Sequence, residues 1–569
     1  MIEKDESVNQ DELRIGVFVC HCGSNIGGYL DCESLTKYAS ALPNVAYAKN
    51  NLYTCSESGI AEIKSAIKNQ KLNRVVVASC SPRTHMPLFK SACDEAGLNQ
   101  YLFEMANIRD QCSWVHMQDK SDAQVKAMDL IRMAVAKAAF LEPQEDIETS
   151  LVKRAMVLGA GVAGLSAASA LADMGVQVIL VEKEAEPGGL LKRVNRVGPS
   201  GEKSSEILSI LLDQVKSKQN IDMRLETELT GVSGVVGNYE VSLKSRTGDE
   251  VKETVGSIVV ATGSVPLDAE GLFGYNGSTV ITQVELEEQL RDGKFNAKNI
   301  VMIQCAGARI PERAYCSRIC CLTAVKNALL IKEMNPDAEV HILYRDIQMY
   351  GTENESLLWE ARGKGVKFDI YDPATPPVVK EGKVELYQPV TGMTIEMPYD
   401  QVVLSTPLVA PAESPAIANF MRIPLDEYNF FLEAHAKLRP LDFATDGIFL
   451  AGTARFPATV GEAQAQGLGA AARANTILSK SKLQFSALVS KVTDKCDGCG
   501  YCVDLCPYDA LRLVEYEVED GRKRMINTSD KILCKGCGLC AATCPKGGIV
   551  ICGFTRKQLE AQVDAALSF

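Results

Sequence analysis

The sequence predicts an α/β protein with two nucleotide-binding-type sheets at its centre and a smaller cysteine-bearing domain at each end. Three observations predict it. The 569 residues are 46% hydrophobic and 23% charged, as in globular chains, and ~100–200 residues per domain calls for three to five domains. Short apolar strands alternate with helix-length segments from Arg14 onwards, the pattern of parallel sheets. The 20 cysteines fall at 20–112, 305–321 and 496–552 with none between, which uniform use as core residues would not produce.

Charge and hydropathy narrow the class. Lys+Arg 60 against Asp+Glu 72 gives −12, which argues against a nucleic-acid partner. The opening MIEKDESVNQDELR has no apolar signal-peptide region. The stretch from Ala155, AMVLGAGVAGLSAASALA, is Gly/Ala-rich and soon meets Asp173, so it reads as strand–loop–helix rather than a membrane span. The expectation is a cytoplasmic protein with no direct membrane span, its thiols reduced and open to metal.

Residues 1–148 read as an N-terminal α/β domain. RIGVFVCHCG (14–23) is a strand ending at Cys20 and Cys22. AYAKNNLYTC (46–55) ends at Cys55, RVVVASCSP (74–82) at Cys80, and YLFEMANIRDQC (101–112) in a loop at Cys112. With helices between them (EIKSAIKNQ, 62–70), the four run parallel, and their carboxyl ends meet at the edge where open α/β sheets bind ligands. The expected iron–sulfur ligands are Cys20, Cys22, Cys55 and Cys80, with Cys112 as substitute; ordinary buried thiols are the alternative. Cys32 and Cys93 read as helix core, Trp114 as packing, and His21, His85 and His116 stay outside the ligand set. Pro143 and a run of acids in 141–149 mark a linker.

Residues 149–297 and 407–482 read as two parts of a FAD-binding domain. In 154–182 a strand runs into Gly159, Gly161 and Gly164, then a helix, then a strand ending at Glu182, 18 residues after Gly164. Glycines allow the tight turn and close approach of a pyrophosphate, the helix N-terminus favours its charge, and the acid accepts ribose hydroxyls. Pro187-Gly188-Gly189 follows where flavoproteins turn towards the isoalloxazine. SIVVATGSVP (257–266), with Ala261, Thr262 and Gly263, resembles the ATG strand of two-dinucleotide-binding-domain flavoproteins, and 446–474 resembles their closing motif, with Gly452 and Gln466. Thr453 stands where that motif has Asp. Ala163 and Lys183 complete the candidate FAD contacts.

Residues 298–406 match the position of an inserted NAD(P)-like domain, with DQVVLST (400–406) as returning strand. The Gly-x-Gly-x-x-Gly is missing, and the lengthened turn carries Cys305, Cys316, Cys320 and Cys321 in a 17-residue window. A 4Fe–4S cluster in the nicotinamide seat is expected. The alternative is a dithiol at Cys320–Cys321, poor because adjacent cysteines form a strained ring. Residues 483–569 form an α+β domain with two bacterial-ferredoxin runs, Cys496-x2-Cys499-x2-Cys502-x3-Cys506-Pro507 and Cys534-x2-Cys537-x2-Cys540-x3-Cys544-Pro545. Each run lends its fourth cysteine to the other's cluster, giving Cys496, Cys499, Cys502, Cys544 and Cys534, Cys537, Cys540, Cys506. Zinc sites would not need this interleaving. Cys552 reads as a buried thiol.

VCHCG (19–23), ASCSPRTH (78–85), LFEMANIRDQCSWVH (102–116), LGAGVAGLSAA (158–168), YCSRICC (315–321) and the double ferredoxin tail together resemble the A-type iron–sulfur flavoprotein of heterodisulfide reductase. The resemblance implies a thioredoxin-reductase-like flavoprotein core and electron transfer within a multisubunit complex, by FAD-based electron bifurcation in some members. It implies B/C-type partners from that complex, an electron-input dehydrogenase, hydrogenase or reductase, and a dimer of complexes. It also implies a catalytic lysine near flavin N5, five residues after the last cluster cysteine; Lys326 sits there. A ferredoxin-like insertion common in the family is absent, since GGLLKRVNRVG passes directly to a helix at 204–218. The expected function is that of a FAD and iron–sulfur electron-transfer subunit, either bifurcating or confurcating, with one FAD and about sixteen irons. The alternatives are a non-bifurcating relay scaffold and a self-contained NAD(P)H-dependent flavin oxidoreductase, which the missing second glycine motif disfavours.

Overall fold

A computed structural model of the chain describes residues 13–517 and 523–568. They form two compact units, one made of the residues up to 148 with those from 484, the other of 149–483. Among the described residues no helix is long and apolar enough to cross a membrane.

In the first unit the strands Ile15–Cys20, Val45–Asn51, Arg74–Ser79 and Phe103–Asn107 form one parallel sheet, with Val45–Asn51 at one edge, then Ile15–Cys20, Arg74–Ser79 and Phe103–Asn107. The two inner strands are buried at every residue, as runs rich in Val, Ile and Phe require when helices cover both faces. Capping side chains start those helices: Ser56 accepts from Gly59 N–H before Glu57–Asn69, and Asp119 from Asp122 N–H before Lys120–Ala138. The tail of the same unit pairs Ser490–Val492 with Ile549–Ile551 and Leu511–Glu517 with Lys523–Ser529, all antiparallel. Its last helix, Arg556–Leu567, packs on Lys120–Ala138, where Arg132 Nε donates to the Ala565 carbonyl at 2.6 Å. Gln558 Nε2 donates to the Phe140 carbonyl at 2.9 Å.

The second unit holds two five-stranded parallel sheets. The first runs Ile448–Leu450, Ser257–Val260, Arg154–Leu158, Gln177–Val181, Ile221–Arg224. The second runs Val280–Thr282, Gln401–Leu404, Asn299–Ile303, Glu339–Tyr344, Lys367–Ile370. In each, the third strand in spatial order comes before its two neighbours on one side, a three-stranded antiparallel meander follows, and the chain then returns to the other side. Helix Val460–Leu478 lies against Val162–Asp173 through small residues; a Cβ on Gly467 would stand 2.3 Å from the Ala163 carbonyl oxygen. The helix expected at 204–218 spans Ser204–Lys216, and the expected linker at 141–149 runs into a short strand, Ile147–Ser150.

Candidate cofactor sites

The second unit encloses a cavity of about 890 Å³ lined by Gly159, Gly161, Ala163, Glu182, Lys183, Gly188, Gly189, Ala261, Thr262, Gly263 and Thr453. The glycines serve different ends. Gly159 has φ +104°, and a Cβ there would lie 2.3 Å from the Ala261 carbonyl oxygen; on Gly164 it would lie 1.8 Å from that of Gly159. These two permit close packing of strand, turn and helix. A Cβ built on Gly161 would meet nothing within 4 Å, so this side of the glycine leaves room for a ligand at the helix N-terminus. Thr262 Oγ1 and Ser264 Oγ are buried there without a partner, while Val265, Leu408, Ile417 and Phe420 supply apolar walls. Hydroxyls and open backbone at one part of the cavity and apolar wall at another fit FAD. The Glu182 carboxylate accepts from Ala160 N–H at 2.7 Å and Glu184 N–H at 3.0 Å, so it also fixes the turn. Lys183 pairs with Glu413. Gly452 and Gln466 support the site from behind, Gln466 Oε1 accepting from Gly452 N–H at 3.0 Å.

Cys320 and Lys326 line the same cavity from helix Cys320–Met334. The loop before it holds Cys305, at φ +57°, and Cys316. The four thiols lie close enough to feel one another's charge. Desolvation, then the neighbouring thiols, pushes Cys320 far up, and desolvation chiefly raises Cys321 to about 11. Such thiols stay protonated until a cation displaces their protons, which suits metal ligands better than a free nucleophile. The loop is pinned: Arg318 N–H donates to Cys316 Sγ at 3.3 Å, and its guanidinium meets Glu462 at 2.7 Å while stacking on Tyr350 and Phe456. Arg345, just past the strand Glu339–Tyr344, donates to the Arg309 carbonyl at 2.9 Å and so holds the same loop. Lys326 is buried against Glu287, which also accepts from Asn195 N–H at 2.8 Å. Burial pushes Lys326 below the usual lysine value, and Glu287 opposes the shift. No sequence motif pointed to Glu287, and Arg318, although inside YCSRICC, was given no role by its position there.

At the carboxyl edge of the first unit's sheet, the structure brings Cys20, Cys22, Cys55 and Cys80 together. Cys55 and Cys80 are raised first by burial and then by Cys20 and Cys22. Thr54 N–H donates to Cys20 Sγ at 3.4 Å, and Arg109 Nη1 to Cys22 Sγ at 3.7 Å. Cys112 turns away: its thiol, raised to about 11 by burial, donates to the Ala123 carbonyl at 3.0 Å. His21 Nε2, Asn51 Oδ1, Thr54 Oγ1 and Ser79 Oγ are buried there with no hydrogen-bond partner. Buried polar atoms are ordinarily satisfied, so this cluster of unsatisfied ones fits a bound sulfide-rich group. Cys32 and Cys93 sit in the core, each pushed up to about 12, chiefly by burial. Trp114 is exposed beneath the Arg109 guanidinium, and His85 packs edge-on to Phe89.

In the tail, Cys502 feels Cys544 and Cys496, and Cys540 feels Cys534 and Cys537. Donors aim at the sulfurs: Ser490 N–H to Cys534 at 3.3 Å, Ala510 N–H to Cys506 at 3.3 Å, Gly548 N–H to Cys544 at 3.2 Å, and Asn527 Nδ2 to Cys502 at 2.8 Å. Such donors stabilise thiolates and suit cluster ligation. Cys499 and Cys537 are exposed, and Cys552 is buried outside the pattern. Among the described residues no three His, Cys, Asp or Glu side chains close round a single ion; a cluster of several irons holds its thiolates farther apart.

Comparison with known proteins adds two domain matches, pyridine nucleotide-disulphide oxidoreductase over residues 153–303 and 4Fe-4S dicluster domain over residues 495–548. The second A-type iron-sulfur subunit of the CoB--CoM heterodisulfide reductase of Methanopyrus kandleri is 37% identical, over 90% of this chain and 92% of its own length. The A-type subunit of the H(2):CoB-CoM heterodisulfide,ferredoxin reductase of Methanothermobacter thermautotrophicus is 36% identical over 90% and 93%. Among solved structures, the thioredoxin reductase of T. acidophilum aligns with 57% of this chain and 99% of its own at 16% identity and a TM-score of 0.41, so the fold assignment rests on the strand order itself.

Proposed function

This chain belongs to the family of A-type iron–sulfur subunits of heterodisulfide reductases, and from that premise we propose that it is the electron-transfer subunit of a heterodisulfide-reductase-like complex, its flavin splitting or merging electron pairs between two routes. It is an oxidoreductase carrying FAD and 4Fe–4S clusters. The observation that carries the proposal is one shared wall: Cys320 and Lys326, on a single helix, line the cavity whose other side is the glycine turn. When bound, FAD exchanges electrons in pairs or singly, and the clusters exchange them singly.

The chain's own residues do the rest. Gly161 leaves space for the pyrophosphate, and Glu182 holds the turn around it. Lys326 keeps a cationic group at the cavity wall, and Glu287 fixes its position. Cys305, Cys316, Cys320 and Cys321 are the ligands proposed for the middle cluster. Cys20, Cys22, Cys55 and Cys80 are those of the N-terminal one, and the two interleaved sets those of the tail. The missing second glycine motif, with a cysteine loop in its place, argues against a pyridine nucleotide, so on this reading electrons come from docked proteins: B/C-type partners of the same complex and an input dehydrogenase, hydrogenase or reductase, in a dimer of complexes.

Anoxic reconstitution with iron, sulfide and FAD tests this. One FAD and about sixteen irons per chain are expected, about twelve after Cys316→Ser, and no bleaching by NADH. Stoichiometric NADH bleaching without partners would overturn the reading. In the assembled complex, reduction of the low-potential acceptor should stop when the high-potential acceptor is withheld; continued reduction would make the chain a relay scaffold.

A further inference from the structure

Resting on the reading that Cys305, Cys316, Cys320 and Cys321 hold a cluster, we infer that Gln304 is the side-chain hydrogen-bond donor to that cluster, positioning it and tuning its potential. Gln304 is wholly buried, and neither Nε2 nor Oε1 has a partner. Among the described residues it is the only buried side-chain amide with both ends unsatisfied. Its backbone is fully engaged: the N–H donates to the Leu343 carbonyl at 2.8 Å, and the carbonyl accepts from Tyr371 Oη at 2.7 Å. The first of these bonds closes the Ile303–Leu343 pairing at the end of the ladder, and both backbone groups of Gln304 point to the same side, as in a strand. The alternation of Asn299–Ile303 therefore sets the direction of the next side chain. Alternation puts its side chain with Ile300 and Met302, which pack in one core with Cys321, Leu322 and Val325 of the helix; Val301 and Ile303 face the other core. Gln304 is thus next to Cys305 along the chain and on the Cys321 side of the sheet.

A core position of this kind calls for an aliphatic residue unless a polar group meets the amide. The tail holds a parallel: Asn527, only 4% exposed, donates Nδ2 to Cys502 Sγ at 2.8 Å and leaves its own Oδ1 unpaired. An N–H aimed at cluster sulfur stabilises added electron density and raises the reduction potential.

The test uses the full chain, reconstituted anoxically with iron, sulfide and FAD. The middle cluster's electron paramagnetic resonance signal is identified as the one lost in Cys316→Ser. Gln304→Leu should keep the iron and shift that cluster's midpoint to a lower potential, with the other signals unmoved; Gln304→Glu should shift it the same way and further. Loss of about four irons alone, with FAD content and melting temperature unchanged, also supports a cluster-facing amide. Unchanged potential in both variants at full iron content overturns the inference. So does loss of FAD with a lowered melting temperature in both, which would make the amide a packing device. If Cys316→Ser leaves the iron content unchanged, the cluster reading itself falls, a failure distinct from that of Gln304.

Discussion

The two parallel sheets of the second unit share a central strand, two strands beyond it, a meander and a returning strand, although the outer strand comes last in the first sheet (Ile448–Leu450) and first in the second (Val280–Thr282). The difference that matters lies at one turn. After Arg154–Leu158 the chain takes a short glycine turn and enters helix Val162–Asp173, leaving room for a phosphate at its start. After Asn299–Ile303 it takes a long loop, and the helix opens with Cys320 and Cys321. The seventh residue of the first helix is Ala168, fully buried; the seventh of the second is Lys326, paired with Glu287. The same scaffold therefore presents a nucleotide cradle in one sheet and thiols with an ion pair in the other. What a turn is made of decides the cofactor, and the sheet beneath only fixes where the turn points.

The largest test of this contrast is the ion pair, which has no counterpart in the first sheet. Side-chain exposure is 12% for Lys326 and 3% for Glu287, so removing one partner strands a buried charge. Lys326→Met should cost about 3 kcal/mol of stability in urea unfolding. Adding Glu287→Gln, which keeps an acceptor for Asn195 N–H, should restore more than half of that. A single variant as stable as the wild type would show that the second helix tolerates an apolar residue there as readily as the first.

The glycine turn gives the next effect, and it separates folding from binding. Gly164→Ala drives a Cβ to 1.8 Å from the Gly159 carbonyl, so the turn must shift; about 1–3 kcal/mol of stability should go, with or without flavin. Gly161→Ala meets nothing within 4 Å, so the flavin-free chain should unfold as the wild type does. FAD should nevertheless bind at least about tenfold more weakly, or ~1.4 kcal/mol, by fluorescence titration. Equal affinity in Gly161→Ala would mean that the ligand does not approach this backbone.

These contrasts were unequally legible in the sequence. The glycine turn and the ferredoxin runs put their functional residues within a few positions of one another, so local spacing carries the signal. Cys112 shows the limit: it ends a segment that reads like its neighbours, and only the turn at Arg109–Ser113 aims its thiol at Ala123. Glu287 lies in an ordinary capped helix, Gln283–Arg291, and gains meaning only when the fold brings Lys326 to it. The joining of the tail to the N-terminal domain was equally invisible, because Arg132 and Ala565 are 433 residues apart and meet through a side-chain-to-carbonyl bond that no pattern encodes.

The smallest effect comes from the rims of the two sheets. Gly256 and Asp400 occupy equivalent places before the returning strands: Gly256 N–H donates to the Arg154 carbonyl and Asp400 N–H to the Asn299 carbonyl, each at 2.8 Å. Only Asp400 adds a carboxylate, which accepts from Lys298 N–H at 2.9 Å and Asn299 N–H at 2.8 Å. Those two backbone bonds hold its pKa below the ordinary 3.8. With the folded value depressed, the contribution is complete above pH 3.8 and fades only as pH falls through the folded value. The carboxylate is exposed and screened, so Asp400→Asn should cost less than about 1 kcal/mol in urea unfolding. That deficit should be equal at pH 7 and pH 5. A deficit that shrank between those values would assign it to a group titrating near neutrality, and the rim carboxylate would then be a solvated bystander, leaving the turn and the helix that follows it to carry the contrast between the two sheets.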